Sequence, residues 1–195
     1  MNDVVSLPWS AGRWTTAPTA TEERDGDLLV TAVEGSDAWR HTSYGFVHDT
    51  EHALLAPFAV GTAVEVEFTA GFAAQFDQAG VFVRASEETW VKAGVEFADG
   101  QLQLGAVVTD GRSDWSVAPV PGWLGSRVLI RVSRGDDALT VRAAVDGGAL
   151  HLVRLLPFAG DLEAEAGPLV CAPSRADLTV AFHAWRTTPA DTALH

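Results

Sequence analysis

One cysteine, Cys171, and one lysine, Lys92, occur in the 195 residues, with a single methionine and a single tyrosine. A lone cysteine forms no internal disulfide and builds no thiolate metal cluster. The PLVCAP stretch around it holds no histidine and no helix start to lower a thiol pKa, which argues against a nucleophile. Basic residues are also scarce: 13 Lys and Arg against 26 Asp and Glu give a formal charge of −13. With the arginines scattered, no positive field exists to gather nucleic acid or an anionic membrane. No apolar run approaches the ~20 residues of a membrane span. Met1-Asn2-Asp3 opens without a basic, then apolar, leader, so the expected location is cytoplasmic. Helical periodicity and internal repeats are both missing. What remains, 47% hydrophobic and 20% charged, is the composition of a folded domain. The length predicts one domain over 1–195, its core running from about 7 to 186 between short tails.

Strand signals fill the space left by the helices. From Asp77 to Thr109 the chain alternates with a period of two, placing Ala79, Val81, Val83, Val91, Ala93, Val95, Leu102, Leu104 and Ala106 on one side, with Asp77 opening the series. The other side carries Gln78, Gly80, Phe82 and Arg84, then Trp90, Lys92, Gly94 and Glu96, then Gln103, Gly105, Val107 and Thr109. That face is too polar for a dry core and too aromatic for an ordinary wet one. A type I′ turn at Asp99-Gly100 sets Gly94 opposite Gly105 and Glu96 opposite Gln103. A connection over Ala85 to Thr89 sets Gly80 opposite Gly94, Gln78 opposite Glu96 and Phe82 opposite Lys92. Three glycines then form a trough roughly 10 Å long across three strands. Glycine inside a strand marks close approach of something to the backbone, either a ligand or a side chain of the protein such as Tyr44 or a loop tryptophan.

Further strands are predicted over Leu28–Val33, Ala63–Ala70, Ser126–Arg134, Ala138–Val145, Leu150–Leu156 and Leu178–Trp185, with turns at Gly135-Asp136-Asp137 and Asp146-Gly147-Gly148. Arg131 is assigned to the polar face. The segment from Asp110 to Trp123 reads as a loop that swings Asp114 and Trp115 over the trough. Ser36 to Phe58 is dense in polar and aromatic residues, among them Trp39, Tyr44, His48 and His52, and reads as a loop over a sheet or part of a site. His48, Asp49 and His52 lie close in sequence but lack a helical i, i+4 register, so no metal site is assigned and no cofactor is expected. Short, turn-punctuated strands imply an all-β sandwich or barrel, and a sandwich with one curved polar and aromatic face fits best.

The segments SDAWRHTSYGF, DQAGVFVR, WVKAGVEF, VVTDGRSDWS, SRVLIRVSRGDDALTV and VCAP resemble, from about Leu7 to Arg186, an uncharacterised concanavalin A-like lectin/glucanase family that includes the yeast regulation of enolase protein. The resemblance implies a concanavalin A-like jelly roll of two antiparallel sheets with a concave face. On that face it would gather Trp39, Thr42, Tyr44, Gly45, His52, Asp77, Gln78, Gly80, Trp90, Lys92, Glu96, Ser113, Asp114, Trp115 and Arg131. The late VCAP is followed by Ser174, and Leu150 stands where the family usually has an aromatic residue.

Such a fold hosts lectins and glycan-cleaving enzymes alike, so function must be read from the site. No E-x-D-x-x-E strand and no G-x-S-x-G turn occurs. The leading expectation is a non-catalytic protein binding a carbohydrate or small polar ligand through Tyr44, His52, Gln78, Trp90, Lys92, Glu96, Gln103, Asp114, Trp115 and Arg131. Two alternatives stand beside it. One is a regulatory protein that binds a metabolic enzyme or other protein; the other is an enzyme acting on glycans or sugar phosphates with Glu96 as acid or base and Lys92 as partner. A monomer or a homodimer is compatible with a sheet edge left open.

Overall fold

A computed structural model describes residues 4–194, so Met1-Asn2-Asp3, on which the leader expectation rests, and His195 lie outside the described residues. Seventeen strands follow in chain order: β1 (Val5–Ser6), β2 (Arg13–Trp14), β3 (Ala20–Arg24), β4 (Asp27–Thr31), β5 (Ala38–Arg40), β6 (Val47–Asp49), β7 (His52–Pro57), β8 (Thr62–Thr69) and β9 (Gln78–Arg84). Then come β10 (Thr89–Ala98), β11 (Gln101–Asp110), β12 (Arg112–Pro119), β13 (Arg127–Arg134), β14 (Ala138–Val145), β15 (His151–Pro157), β16 (Glu165–Cys171) and β17 (Thr179–Pro189). They form two large antiparallel sheets. One runs β12-β11-β10-β9-β16-β7-β2; the other runs β15-β14-β13-β8-β17-β4-β3, with β1 added on β17. The short β5–β6 hairpin stands as its own two-stranded sheet. Among the described residues no helix is long and apolar enough to cross a membrane.

The two sheets bury the alternating apolar series against each other. Val64, Val66 and Phe68 of β8, Val128, Ile130 and Val132 of β13 and Val180 and Phe182 of β17 meet Ala79, Val81 and Val83 of β9 and Val91, Ala93 and Val95 of β10. Full burial of the valine, isoleucine and phenylalanine side chains contributes about 1.5–3 kcal/mol each before conformational entropy opposes it.

The expected register is the observed one. Gly80 pairs with Gly94 and Gly94 with Gly105, while Glu96 lies between Gln78 and Gln103. Asp99 (φ 54°) and Gly100 (φ 80°) supply the two left-handed residues that a type I′ turn requires.

Four assignments differ. The end of the Ser36 to Phe58 segment is not a loop: it forms β7, which pairs with β16 and β2 inside the seven-stranded sheet. The segment after Thr109 is not a loop: β12 pairs with β11 along its length, with Trp115 opposite Val107 and Val117 opposite Gly105. β16 was hidden by Gly167-Pro168, which reads against an interior strand. It lies between β9 and β7, and its pairing with β7 skips from Ala166↔Ala56 to Leu169↔Ala53, leaving the proline out of that ladder. Arg131 belongs to the opposite sheet, where it bonds Glu65, Thr188 and Asp191 on the outward side. Alternation identifies a face but not which of two sheets owns it.

Candidate functional site

Rows of residues crossing β16, β9, β10, β11 and β12 build the site. The outermost row reads Cys171, Gln78, Glu96, Gln103 and Pro119; the next reads Leu169, Gly80, Gly94, Gly105 and Val117; the third carries Phe82, Lys92, Val107 and Trp115. A Cβ at Gly80 would sit 2.0 Å from the Ala93 carbonyl oxygen, and one at Gly94 would sit 2.2 Å from that of Ala79. At Gly105 it would meet the Ser116 oxygen at 2.0 Å and the Val117 side chain at 2.8 Å. The glycines thus let neighbouring backbones close on one another, and Val117 covers the last of them.

The β5–β6 hairpin crosses one end of this face. Trp39 packs into a second buried cluster with Ala38, Ala53, Leu55, Phe82, Trp90, Val107, Leu169 and Cys171. Its indole Nε1 donates to the Thr42 carbonyl at 2.9 Å, stiffening a tip where His41, Ser43 and Gly45 all have positive φ. Arg40 fastens the hairpin down: its backbone N–H donates to Ser113 Oγ at 2.9 Å and its guanidinium reaches Asp49 and Glu88. Trp90, expected to offer a ligand its face, is therefore roofed over and 2% exposed.

Beside the hairpin the face stays open. A cleft of about 370 Å³ is lined by Gly35, Asp37, Trp39, Tyr44, Phe46, His48, Phe76, Gln78, Lys92, Glu96, Val107, Trp115 and Pro173. Its aromatic wall is continuous: Trp115 meets Trp39 edge-on at 6.4 Å, Trp39 meets Tyr44 at 5.7 Å, and Tyr44 stacks on Phe46 at 5.3 Å. Tyr44, Phe46 and Trp115 remain substantially exposed.

The polar floor centres on a residue the sequence reading missed, Asp37. Its Oδ1 accepts from Lys92 Nζ at 2.7 Å and from Gln78 Nε2 at 3.4 Å. Burial works against the Lys92 ammonium, but the Asp37 charge, with lesser help from Cys171 and Glu96, holds its pKa above the ordinary value. Glu96 has no such partner: its buried Oε1 makes no hydrogen bond. Burial pushes its carboxyl up to about 7, against the pull of Lys92 and with the repulsion of Asp37 and Asp99. Burial likewise drives the Cys171 thiol well up, leaving it a buried thiol against the floor.

Several expected ligand contacts lie elsewhere. His52 is fully buried, accepting from the Val33 N–H at Nε2 and facing the Thr16 carbonyl at Nδ1, so no ring nitrogen is free. Burial, only partly offset by the Thr16 bond, lowers its pKa. Asp114 points away and pairs with Arg154 at 3.0 Å. Asp77 is buried at the start of β9 and held by Arg175 at 2.7 Å and by the Ala73 and Ala74 N–H groups. Burial opposes its charge, but these bonds win and keep its pKa below the ordinary value. His48 lines the cleft, Asp49 pairs with Arg40 and His52 is engaged by backbone, so the three do not converge. Tyr44, Gln78, Lys92, Glu96 and Trp115 meet at one cleft, with buried Gln103 beside Glu96 in the next strand.

The family model described as "Protein of unknown function (DUF1349)" matches residues 14–190. The chain belongs to this family. A curated relative, "Regulation of enolase protein 1" of Saccharomyces cerevisiae, is 35% identical over 187 residues, covering 95% of this chain and 94% of the relative. A crystal structure described as that of a functionally unknown protein from Saccharomyces cerevisiae superimposes with a TM-score of 0.88 at 33% identity over 94% of this chain and 98% of that one. The xylan β-1,4-xylosidase of Bacillus halodurans C-125 shares the fold, with a TM-score of 0.71 at 15% identity. The DUF1349 chain matches 38% of that larger protein over 95% of its own length.

Proposed function

We propose that the cleft beside the β5–β6 hairpin binds a carbohydrate or similarly small polar ligand without cleaving it. The observation that carries this reading is the unpartnered Glu96 carboxyl at the floor of an open cleft walled by Trp115, Trp39, Tyr44 and Phe46. A cleft of this volume lies within the range of small-ligand sites, and a few polar groups against apolar walls are what orient such ligands. Sugar rings present apolar faces to aromatic side chains while hydroxyls reach Gln78 and Glu96. Hydrolysis would require two carboxyls flanking one bond. Asp37, the other acid lining the cleft, is tied to Lys92, which favours binding over cleavage. The fold shared with a xylosidase is compatible with sugar binding and adds nothing about this cleft.

Isothermal calorimetry with mono- and oligosaccharides tests the proposal. The expected result is binding at millimolar affinity or better that weakens at least ten-fold in Trp115→Ala. No binding below that range, or binding indifferent to Trp115, overturns it. The name of the yeast relative favours a second reading, in which the exposed Tyr44, Phe46 and Trp115 dock on another protein. Capture of one defined enzyme by wild type but not by a Tyr44→Ala, Phe46→Ala, Trp115→Ala triple variant would support it.

A further inference from the structure

We infer that the ligand of this cleft carries a protonated amine, seated on Glu96 with its apolar flank against the Trp115–Trp39–Tyr44 wall. The inference rests on the cleft-binding reading and narrows its ligand class.

Charge comes first. The lining holds two acids, Asp37 and Glu96, and one ammonium, Lys92, with no arginine. Lys92 Nζ is already bonded to Asp37 at 2.7 Å. No positive group on the floor is left over for a phosphate or a carboxylate, which disfavours sugar phosphates and acidic sugars. The acid left without a counter-ion is Glu96, and its buried Oε1 lacks a hydrogen-bond donor. A hydroxyl would satisfy that oxygen but would bring no counter-charge to the ionised carboxylate. An ammonium supplies both the donor and the charge.

The walls agree. Trp115, Trp39, Tyr44 and Phe46 form one contiguous aromatic wall of the cleft that Glu96 also lines, and aromatic rings attract ammonium groups presented to their faces. The overall charge of −13 raises the local concentration of cations at the surface.

Proton balance gives an independent readout. The groups facing Glu96 are Lys92 on its own strand, Asp37 ahead of the hairpin, Asp99 at the β10–β11 turn, His48 across the cleft and Cys171 on β16, with Gln78 and Gln103 neutral beside it. With its carboxyl titrating at about 7, Glu96 is about half protonated at neutral pH. Docking of R–NH₃⁺ ionises it, forming the carboxylate–ammonium pair and releasing that proton to solvent. Affinity for an amine therefore rises with pH up to about 7, levels off, and falls again once the pH passes the amine's own pKa.

The test is calorimetry at pH 7 in two buffers of different ionisation enthalpy, with D-glucosamine, D-glucose, N-acetyl-D-glucosamine and ethanolamine as probes. The expected result is glucosamine binding at least ten-fold tighter than glucose or N-acetylglucosamine, with a net proton release of about half a proton less the fraction that its partly deprotonated amine takes up. Glu96→Gln should remove both the preference and the proton release, whereas Trp115→Ala should weaken binding but keep the proton release. Equal binding of glucose and glucosamine overturns the amine inference and leaves the carbohydrate reading standing. Ethanolamine binding with no sugar bound supports the amine and overturns the carbohydrate. If no probe binds, both fall.

Discussion

Glu96 makes the protein's stability depend on pH in a way that a single substitution should erase. Its carboxyl titrates at about 7 in the folded chain, against an ordinary 4.5, because the buried neutral form is favoured over the charged one. The unfolded chain gives up that proton first. Stability from the neutral buried carboxyl is therefore fully present below pH 4.5 and is lost as the pH rises to 7, after which it is flat. At 1.36 kcal/mol per pH unit the loss amounts to about 3 kcal/mol. A glutamine at this position keeps the shape and cannot ionise. Urea denaturation of wild type and Glu96→Gln at half-unit steps from pH 4.5 to 8.5 should give two curves that separate by up to about 3 kcal/mol by pH 7 and run parallel thereafter, the variant being the more stable. Side-chain carboxyl NMR on wild type should place the midpoint near 7. A separation constant within ~0.5 kcal/mol across the range, or a midpoint near 4.5, refutes the reasoning.

Three further outcomes follow from the same geometry. Lys92→Met leaves Asp37 without its counter-ion in a largely buried place and should cost about 3 kcal/mol in urea denaturation, with Asp37→Asn added to it restoring part of the loss; equal stability of Lys92→Met and wild type would contradict the pairing. Gly94→Ala drives a Cβ to 2.2 Å from the Ala79 oxygen and should destabilise by at least about 2 kcal/mol, whereas Gly71→Ala, with open space around it, should be nearly neutral; similar thermal shifts for both would remove the close-approach argument. His52, buried and bonded through both nitrogens, should remain neutral at pH 6 with the proton on Nδ1. Because its folded pKa is lowered, its contribution to stability is present above 6.5 and fades as pH falls below that value; nitrogen chemical shifts showing an imidazolium at pH 6 would contradict this.

The trough was legible because short-range rules determine it. A two-residue turn at Asp99-Gly100 fixes the β10–β11 register and the short connection over Ala85 to Thr89 fixes the β9–β10 register, and together they set the glycine row and the placement of Glu96 between two glutamines. Asp37 was not legible, since its bond to Lys92 spans 55 residues and depends on how an irregular segment returns to the sheet. Nor does alternation tell which aromatic on a face is roofed: Trp90 and Trp115 share the same side, yet the hairpin covers the first and leaves the second open. Arg131 and β16 failed for different reasons, one because two sheets have identical periodicity and the other because Gly167-Pro168 disguises an interior strand.

The β5–β6 hairpin separates two properties that most clefts combine. Glu96, Lys92 and the glycines sit on strands in the middle of a seven-stranded sheet, whose other face packs into the main core. The outer wall, with Tyr44, Phe46 and His48, sits on a hairpin of two three-residue strands outside both large sheets. Side chains at its exposed tip can be exchanged without touching either sheet's packing. Under the proposed binding role, floor and tip can therefore be varied separately, and a library confined to residues 41–48 is the natural place to alter the ligand preference of the cleft.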